Sequence, residues 1–192
     1  QAMGTEVCTV YMADHGESRL VFTATEGLNR EALGKLSLPF GQGLVGQVAL
    51  REESINTSNA QTDPNFQFLE NIGEEPFNSF LGVPIVHHRR VLGVLVVQQT
   101  DRRSFDESEE AFLLTMSAQL AGVIAHAQAT GMLDTSANAN VANAEFRGIA
   151  GASGVAIGRA LVVSQPADLY GVPSRRNNDV YEAIVFFRAC VG

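Results

Sequence analysis

Hydrophobic and polar residues alternate with two different periods along this chain, and the changes of period mark its elements. At 7–12 (Val-Cys-Thr-Val-Tyr-Met) and 20–25 (Leu-Val-Phe-Thr-Ala-Thr), β-branched and aromatic residues flank the polar stretch 13–18, which predicts a hairpin. A second hairpin is predicted where apolar arms at 81–86 and 91–97 flank the charged tip His87-His88-Arg89-Arg90. The later arm, Val91-Leu92-Gly93-Val94-Leu95-Val96-Val97, is apolar without alternation. Both its faces therefore need protein cover, which places it inside a sheet with helices on at least one face. Pro84 has no N–H for a ladder, so a bulge or unpaired position is expected there, where a backbone group could be left free for a ligand.

The longer period appears elsewhere. Leu28, Ala32 and Leu36 have helical spacing, a short alternating piece follows at 36–40, and a brief helix is expected over about 44–51 before a polar strand at 54–57. Leu113, Met116, Leu120, Val123 and Ala127 recur at three- and four-residue intervals, widened by Phe112 and Ile124, and predict a helix over 105–128. Ser104 and Glu107 have capping-box spacing at its start. The acidic run Asp106, Glu107, Glu109 and Glu110 suits the positive end of the helix dipole and carries no catalytic weight. Residues 56–79 form a long polar connection in which Asp63-Pro64 predicts a helix over 64–71, ended by Gly73-Glu74-Glu75-Pro76. Its length and its aromatic residues Phe66, Phe68 and Phe77, with Phe80 just beyond, make it a candidate cover for a pocket.

Beyond about 130 the character changes. Residues 131–146 read as an Ala- and Asn-rich linker, and a glycine-rich stretch leads to a strand at 155–164 and a helix capped by Asn178-Asp179. One strand and one helix cannot close a core, so 147–192 reads as the truncated start of another domain. The first hairpin begins almost at residue 1, so an element is expected to be missing upstream.

Composition narrows the function. The net charge is -8 and the sequence pI about 4.9, and the only adjacent cations are the pairs Arg89-Arg90, Arg102-Arg103 and Arg175-Arg176, which argues against a nucleic-acid surface. Cys8 and Cys190 lack the spacing of a zinc site or redox pair. No apolar run reaching the ~18 residues of a membrane span is expected, nor a secretory leader, so the protein reads as cytoplasmic. Gly41-Gln42-Gly43-Leu44-Val45-Gly46 is literally the G-x-G-x-x-G fingerprint. The strand before it is short and holds a proline, the helix after it is brief, and the next strand ends at Asn59 rather than an acidic residue, so dinucleotide binding is not expected.

Four motifs in order, 41–49 (GQGLVGQVA), 79–85 (SFLGVPI), 91–95 (VLGVL) and 105–109 (FDESE), resemble a GAF domain over about residues 1–130. The resemblance implies an α+β fold, a central antiparallel sheet flanked by helices with a small-molecule pocket between sheet and lid; the family's usual first helix is absent. The stretch 146–158 (FRGIAGASGVAIG) resembles the opening of enzyme I, the phosphoenolpyruvate-dependent protein kinase that autophosphorylates on histidine, although the family's usual proline is replaced around Ser153. A GAF domain before that opening is similar to the nitrogen-related enzyme I of bacteria. What the resemblance implies is a sensory domain that modulates histidine autophosphorylation and phosphotransfer to a phosphocarrier protein, with glutamine or 2-oxoglutarate as candidate ligands. The intact enzyme would use Mg2+, and no cofactor is expected in this chain. The family's phosphohistidine loop has no counterpart around His15, His87, His88 or His126, so no catalytic residue is assigned.

The candidate ligand-binding residues, chosen for polar or aromatic character on strands and lid, are Thr9, Phe22, Asn59, Asp63, Phe66, Ser79 and Gln98. Two alternatives belong to other classes. A GAF-fold reductase of free methionine sulfoxide needs at least two cooperating thiols, which Cys8 and Cys190 are poorly placed to supply. A dimerisation module would fill its pocket with side chains. A homodimer is expected through the 105–128 helix. Haem or zinc sensing is disfavoured because His87-His88 sits at a hairpin tip without partners.

Overall fold

A computed structural model describes residues 3–129; the expected linker and the enzyme I-like segment at 147–192 lie outside them. Six antiparallel strands form one sheet in the order β3-β2-β1-β6-β5-β4: β1 (Val7–Asp14), β2 (Arg19–Glu26), β3 (Ser37–Pro39), β4 (Ile55–Thr57), β5 (Ser79–His87) and β6 (Arg90–Gln99). Two helices complete the α+β fold, α1 (Gly43–Arg51) and α2 (Glu107–Ala129). The uninterrupted apolar arm is β6, paired to β1 on one side and β5 on the other, as its lack of alternation requires.

Alternation along β6 divides the core in two. Leu95 and Val97 join Cys8, Val10, Leu81 and Val83 beneath α2, whereas Val94 and Val96 join Val7, Tyr11, Leu20 and Phe22 beneath α1 and the 58–78 segment. A bulge in β2 keeps both sets in step. Val10 pairs with Ala24 and Tyr11 with Phe22, so Thr23 is the extra residue. Leu20 and Phe22 thus face the α1 side while Ala24 faces α2. The irregularity expected at Pro84 lies one step further on: Pro84 pairs with Val94, and the register shifts between Ile85 and Val86, which leaves Leu92 as the extra residue on β6. Where β6 crosses β1, only glycine fits at 93, because a Cβ there would lie 2.2 Å from the Tyr11 carbonyl oxygen. The tip of the β5–β6 hairpin uses His88 (φ 48°) and Arg89 (φ 62°) as its left-handed pair, a conformation usually given to Asn and Gly.

Three local expectations are corrected. Residues 28–36 form only a 3₁₀ turn, Arg30–Ala32, because the chain is drawn back to the sheet edge: Gly34 N donates to Phe22 O (2.8 Å) and Phe22 N to Leu36 O (2.9 Å). No helix forms over 64–71. The Asp63 carboxylate accepts the Asn65 N–H at 2.8 Å and closes a turn, the alternative that aspartate always offers a backbone; the helical turn nearby is Ala60–Thr62. The cap of α2 sits two residues later than Ser104: Asp106 accepts from the N–H groups of Ser108 and Glu109 (both 2.9 Å), and Glu109 accepts from Asp106 N (2.8 Å), a capping box displaced by one half-turn. The backbone N–H of Glu109, with smaller contributions from Ser108 and Arg103, holds the Asp106 carboxyl below its usual range.

α2 also corrects two readings of its apolar stripe. Leu113 (0% exposed), Leu120 (3%) and Ala127 (2%) are buried against β5 and β6 of their own chain, so they are not open to a second copy. An 18-residue window of the helix reaches a mean hydropathy of 1.2, enough by length and composition alone for a membrane span, contrary to expectation. Its inner face nevertheless packs on the sheet as a core helix. Leu114, at 40% exposure, lies on the outer face. Leu120→Ala is expected to lower unfolding free energy by about 2–5 kcal/mol, and Leu114→Ala by less than about 0.5 kcal/mol. Urea denaturation of the two variants, followed by circular dichroism, checks the assignment of inner and outer faces.

Candidate functional site

The sheet face away from α2 carries a small cavity of about 20 Å³, room for little more than a water molecule. Its walls come from three places: Gly43, Leu44 and Val45 at the start of α1; Phe66, Gln67, Leu69 and Glu74 of the covering segment; and Leu38, Phe80 and Gln98 on the sheet. The glycine motif explains how α1 reaches this position. Gly41 (φ 84°) and Gly43 (φ 66°) turn the chain in left-handed conformations. Gly46 lets the helix pass so close to β3 that a Cβ would lie 2.7 Å from the Pro39 carbonyl oxygen. Gln47 Nε2 then donates to Gly41 O at 2.6 Å. The motif therefore places the first turn of α1, whose N–H groups have no intrahelical acceptors, at the wall of the cavity.

Three buried polar side chains gather here. Gln98 is 6% exposed, lines the cavity, and makes no side-chain hydrogen bond among the described residues. Glu74 is 9% exposed and accepts the Leu69 N–H at 2.7 Å. Burial pushes its carboxyl up to about 7; the Leu69 N–H opposes the shift and Glu75 adds to it. Tyr11, on the same sheet face, is 3% exposed and stacks at a tilt on Phe22, 5.5 Å between ring centroids. Its phenol is raised well above the ordinary value, first by burial and then by Glu74. Among the described residues, no Arg, Lys or His lines the cavity.

Of the residues singled out in the sequence, Phe66 and Gln98 line this cavity. Phe22 and Thr9 occupy the same sheet face more deeply, where Thr9 Oγ1 and Thr25 Oγ1 are hydrogen bonded at 2.8 Å. Asn59 precedes the Ala60–Thr62 turn, with its Oδ1 buried and unpartnered among the described residues. Asp63 is occupied by its turn. Ser79 belongs to the other side: its hydroxyl, with one proton to give, lies within hydrogen-bond reach of the carbonyls of Asp101 and Arg103 (2.7 Å to the latter) and accepts from Arg103 N at 2.9 Å, pinning the loop into α2. Glu74 and Tyr11 escaped the sequence reading because one sits in a Gly-Glu-Glu-Pro turn, beside Glu75 and in a segment that also holds Asp63 and Glu70, and the other in an apolar strand; nothing local marks Glu74 as the one that is buried. Cys8 packs beneath α2, on the face opposite the cavity, and no group of three His, Cys, Asp or Glu side chains suited to a metal ion occurs among the described residues.

A curled six-stranded antiparallel sheet flanked by helices, with a long covering segment across one face, defines an α+β domain, and the family model of the GAF domain matches residues 1–124. The chain belongs to the GAF domain family. It is similar to the "Phosphoenolpyruvate-dependent phosphotransferase system" proteins of Salmonella typhimurium and Escherichia coli, 42% identical to each over 156 residues, which is 81% of this chain and 20% of each relative. It thus spans about a fifth of their length. Among solved structures, the GAF domain of a phosphoenolpyruvate-protein phosphotransferase from Coxiella burnetii superposes with a TM-score of 0.65 at 43% identity, over 67% of this chain and 77% of that one. Its counterpart from Acinetobacter gives 0.61 at 44%, over 68% and 77%. A free methionine-R-sulfoxide reductase from Thermoplasma acidophilum shares the fold at 18% identity and a TM-score of 0.53, over 63% of this chain and 79% of that one.

The raised Glu74 carboxyl has a consequence for stability. The folded state holds a proton that the unfolded chain releases near 4.5, so stability is fully present below that pH and falls as pH rises toward about 7. The loss is expected to total about 2–3 kcal/mol. Glu74→Gln should flatten this dependence and raise the melting temperature at pH 8 relative to the parent, a difference read by calorimetric melts across pH 5–8.

Proposed function

We propose that this domain is the small-molecule sensor of a phosphoenolpyruvate-protein phosphotransferase, and that it modulates histidine autophosphorylation and the transfer of the phosphoryl group to a carrier protein in nitrogen regulation. The observation that carries this reading is the cavity. Buried polar groups with few partners of their own face it, in a chain 42% identical to phosphotransferase-system proteins. Glutamine and 2-oxoglutarate are the candidate ligands. Either is far larger than a cavity of about 20 Å³, so binding requires the segment at 63–78 to move outward. That segment has no regular secondary structure; it is tied to the rest by contacts such as Asn29 N to Ile72 O (2.8 Å) and Gln61 Nε2 to Glu75 O (2.9 Å). In the intact enzyme the chemistry belongs to other regions with Mg2+, in the cytoplasm, and this domain sets its rate.

The small size of the cavity also favours a second reading, a dimerisation module without ligand. Pairing of two copies fits either reading, through the outer face of α2 rather than its buried stripe. Ala111, Leu114, Thr115, Ala118 and Gly122 are exposed there, and no Asp, Glu, Lys or Arg occurs from 111 to 129. A ligand bound only by the folded state raises the melting temperature, so thermal melts with millimolar glutamine or 2-oxoglutarate separate sensor from module. Phe66→Ala is expected to weaken binding of the active metabolite about tenfold or more while leaving the fold intact. Titration calorimetry with the variant reads the change; an unchanged affinity sinks the covering role of Phe66.

A further inference from the structure

The segment over the cavity is fastened unevenly. Its second half is tied down at several points. Asn29 donates its backbone N–H to Ile72 O and its side-chain amide to Asn71 O, both at 2.8 Å; Gln61 Nε2 donates to Glu75 O at 2.9 Å, and Asn78 N to Gln99 O on β6 at 3.0 Å. Ile72 is 0% exposed and set in the core beneath the segment. The first half has no such fastening. Among the described hydrogen bonds of residues 64–70, those of Asn65 and Phe66 close on neighbouring Asp63, and one alone reaches further: the Leu69 N–H to the Glu74 carboxyl at 2.7 Å. Phe68 is 45% exposed, and Phe66 and Leu69 are only partly buried. Between the halves the backbone turns through two left-handed residues, Asn71 (φ 70°) and Gly73 (φ 79°), on either side of buried Ile72.

We propose that the cover is a two-part strap: residues 64–70 are a flap that swings off the cavity about Asp63 and Asn71 while 72–78 stays in place, and Glu74 is the catch that holds the flap shut through the Leu69 N–H. This goes beyond the sensing role and does not depend on it, because flap and catch belong to the unliganded chain. It narrows the movement of the cover to the half that carries Phe66, Gln67 and Leu69, all of which line the cavity. A local opening costs the contacts of the residues that move, not the folding free energy of the whole domain. For the flap those are one hydrogen bond outside its own turn and the packing of partly buried side chains. Lifting the second half as well would draw Ile72 out of the core and break the bonds to Asn29 and Gln99. The flap is therefore the cheaper motion, and Glu74, which sits in the fixed half, controls it from across the hinge.

The test is amide hydrogen exchange, read residue by residue by NMR on the 192-residue chain without ligand at one fixed pH. In the parent, Leu69 is expected to be at least about tenfold less protected than Asn29 and Asn78, whose amides are held by Ile72 O and Gln99 O. Glu74→Met keeps a side chain of similar length in the buried position and leaves the Leu69 N–H without its acceptor, so Leu69 should lose a further tenfold or so of protection, with a smaller loss at Asn29 and Asn78. Glu74→Gln, whose amide oxygen can accept the same N–H, should retain most of the parent's protection at Leu69. Slow exchange along β6 establishes that the variants are folded; if Glu74→Met does not fold, the parent's own pattern and Glu74→Gln still decide. Equal protection of Leu69, Asn29 and Asn78 in the parent means that the cover moves as one piece and overturns the proposal. So does Leu69 protection that survives Glu74→Met, or that is lost in Glu74→Gln.

Discussion

Everything in this domain depends on β6 being buried on both faces. A strand paired on both sides and covered above and below has no polar outlet, so every side chain from Val91 to Val97 must be apolar or absent. That demand produces two cores rather than one, a helix-covered core under α2 and a second under α1 and the 58–78 segment. The second is the one that holds the cavity, because an irregular segment seals less completely than a 23-residue helix. The polar groups that end up there, Gln98 and Glu74, sit at its margin, where β6 and the cover run out of apolar residues.

Local irregularities keep the two cores separate. Without the extra Thr23, Ala24 would share a face with Leu20 and Phe22, and the β2 side of the α2 core would lose its contact. Ser79 and Arg103 do comparable work at the other end of the sheet. The Arg103 guanidinium meets both oxygens of Glu109, at 2.7 and 2.6 Å, and lies over the Phe105 ring at 4.8 Å, so the turn out of β6 delivers the chain into α2 at a fixed angle. Arg103 is half-exposed, and the value of this contact lies in geometry more than in energy.

The strands, both long hairpins and both helices were legible in the residues because each is written in a local period: β6 in its unbroken apolar run, α2 in its Leu113–Leu120–Ala127 spacing. What was not legible is what neighbours decide. Asp63-Pro64 has the residues of a helix start, and the carboxylate instead closed a turn with Asn65; Leu28, Ala32 and Leu36 have helical spacing, and Phe22 drew that stretch into the sheet edge. The site followed the same division. Phe66 and Gln98 announce themselves as an aromatic in a cover and a polar residue ending an apolar strand, while the burial of Glu74 is a property of the folded cover that its Gly-Glu-Glu-Pro context hides.

The sheet ends on both sides in strands of three residues, β3 and β4. Pro39 removes a donor from the first, and the Asn56 side chain of the second is engaged by the backbone of Phe105, donating to its carbonyl at 2.8 Å and accepting from its N–H at 3.1 Å. Neither border offers a row of open amides long enough to template an incoming segment. Among the described residues, β3 and β4 are thereby poor templates for strand addition, which leaves helix faces and loops, rather than an extended sheet, as the surfaces through which this domain can meet a neighbour.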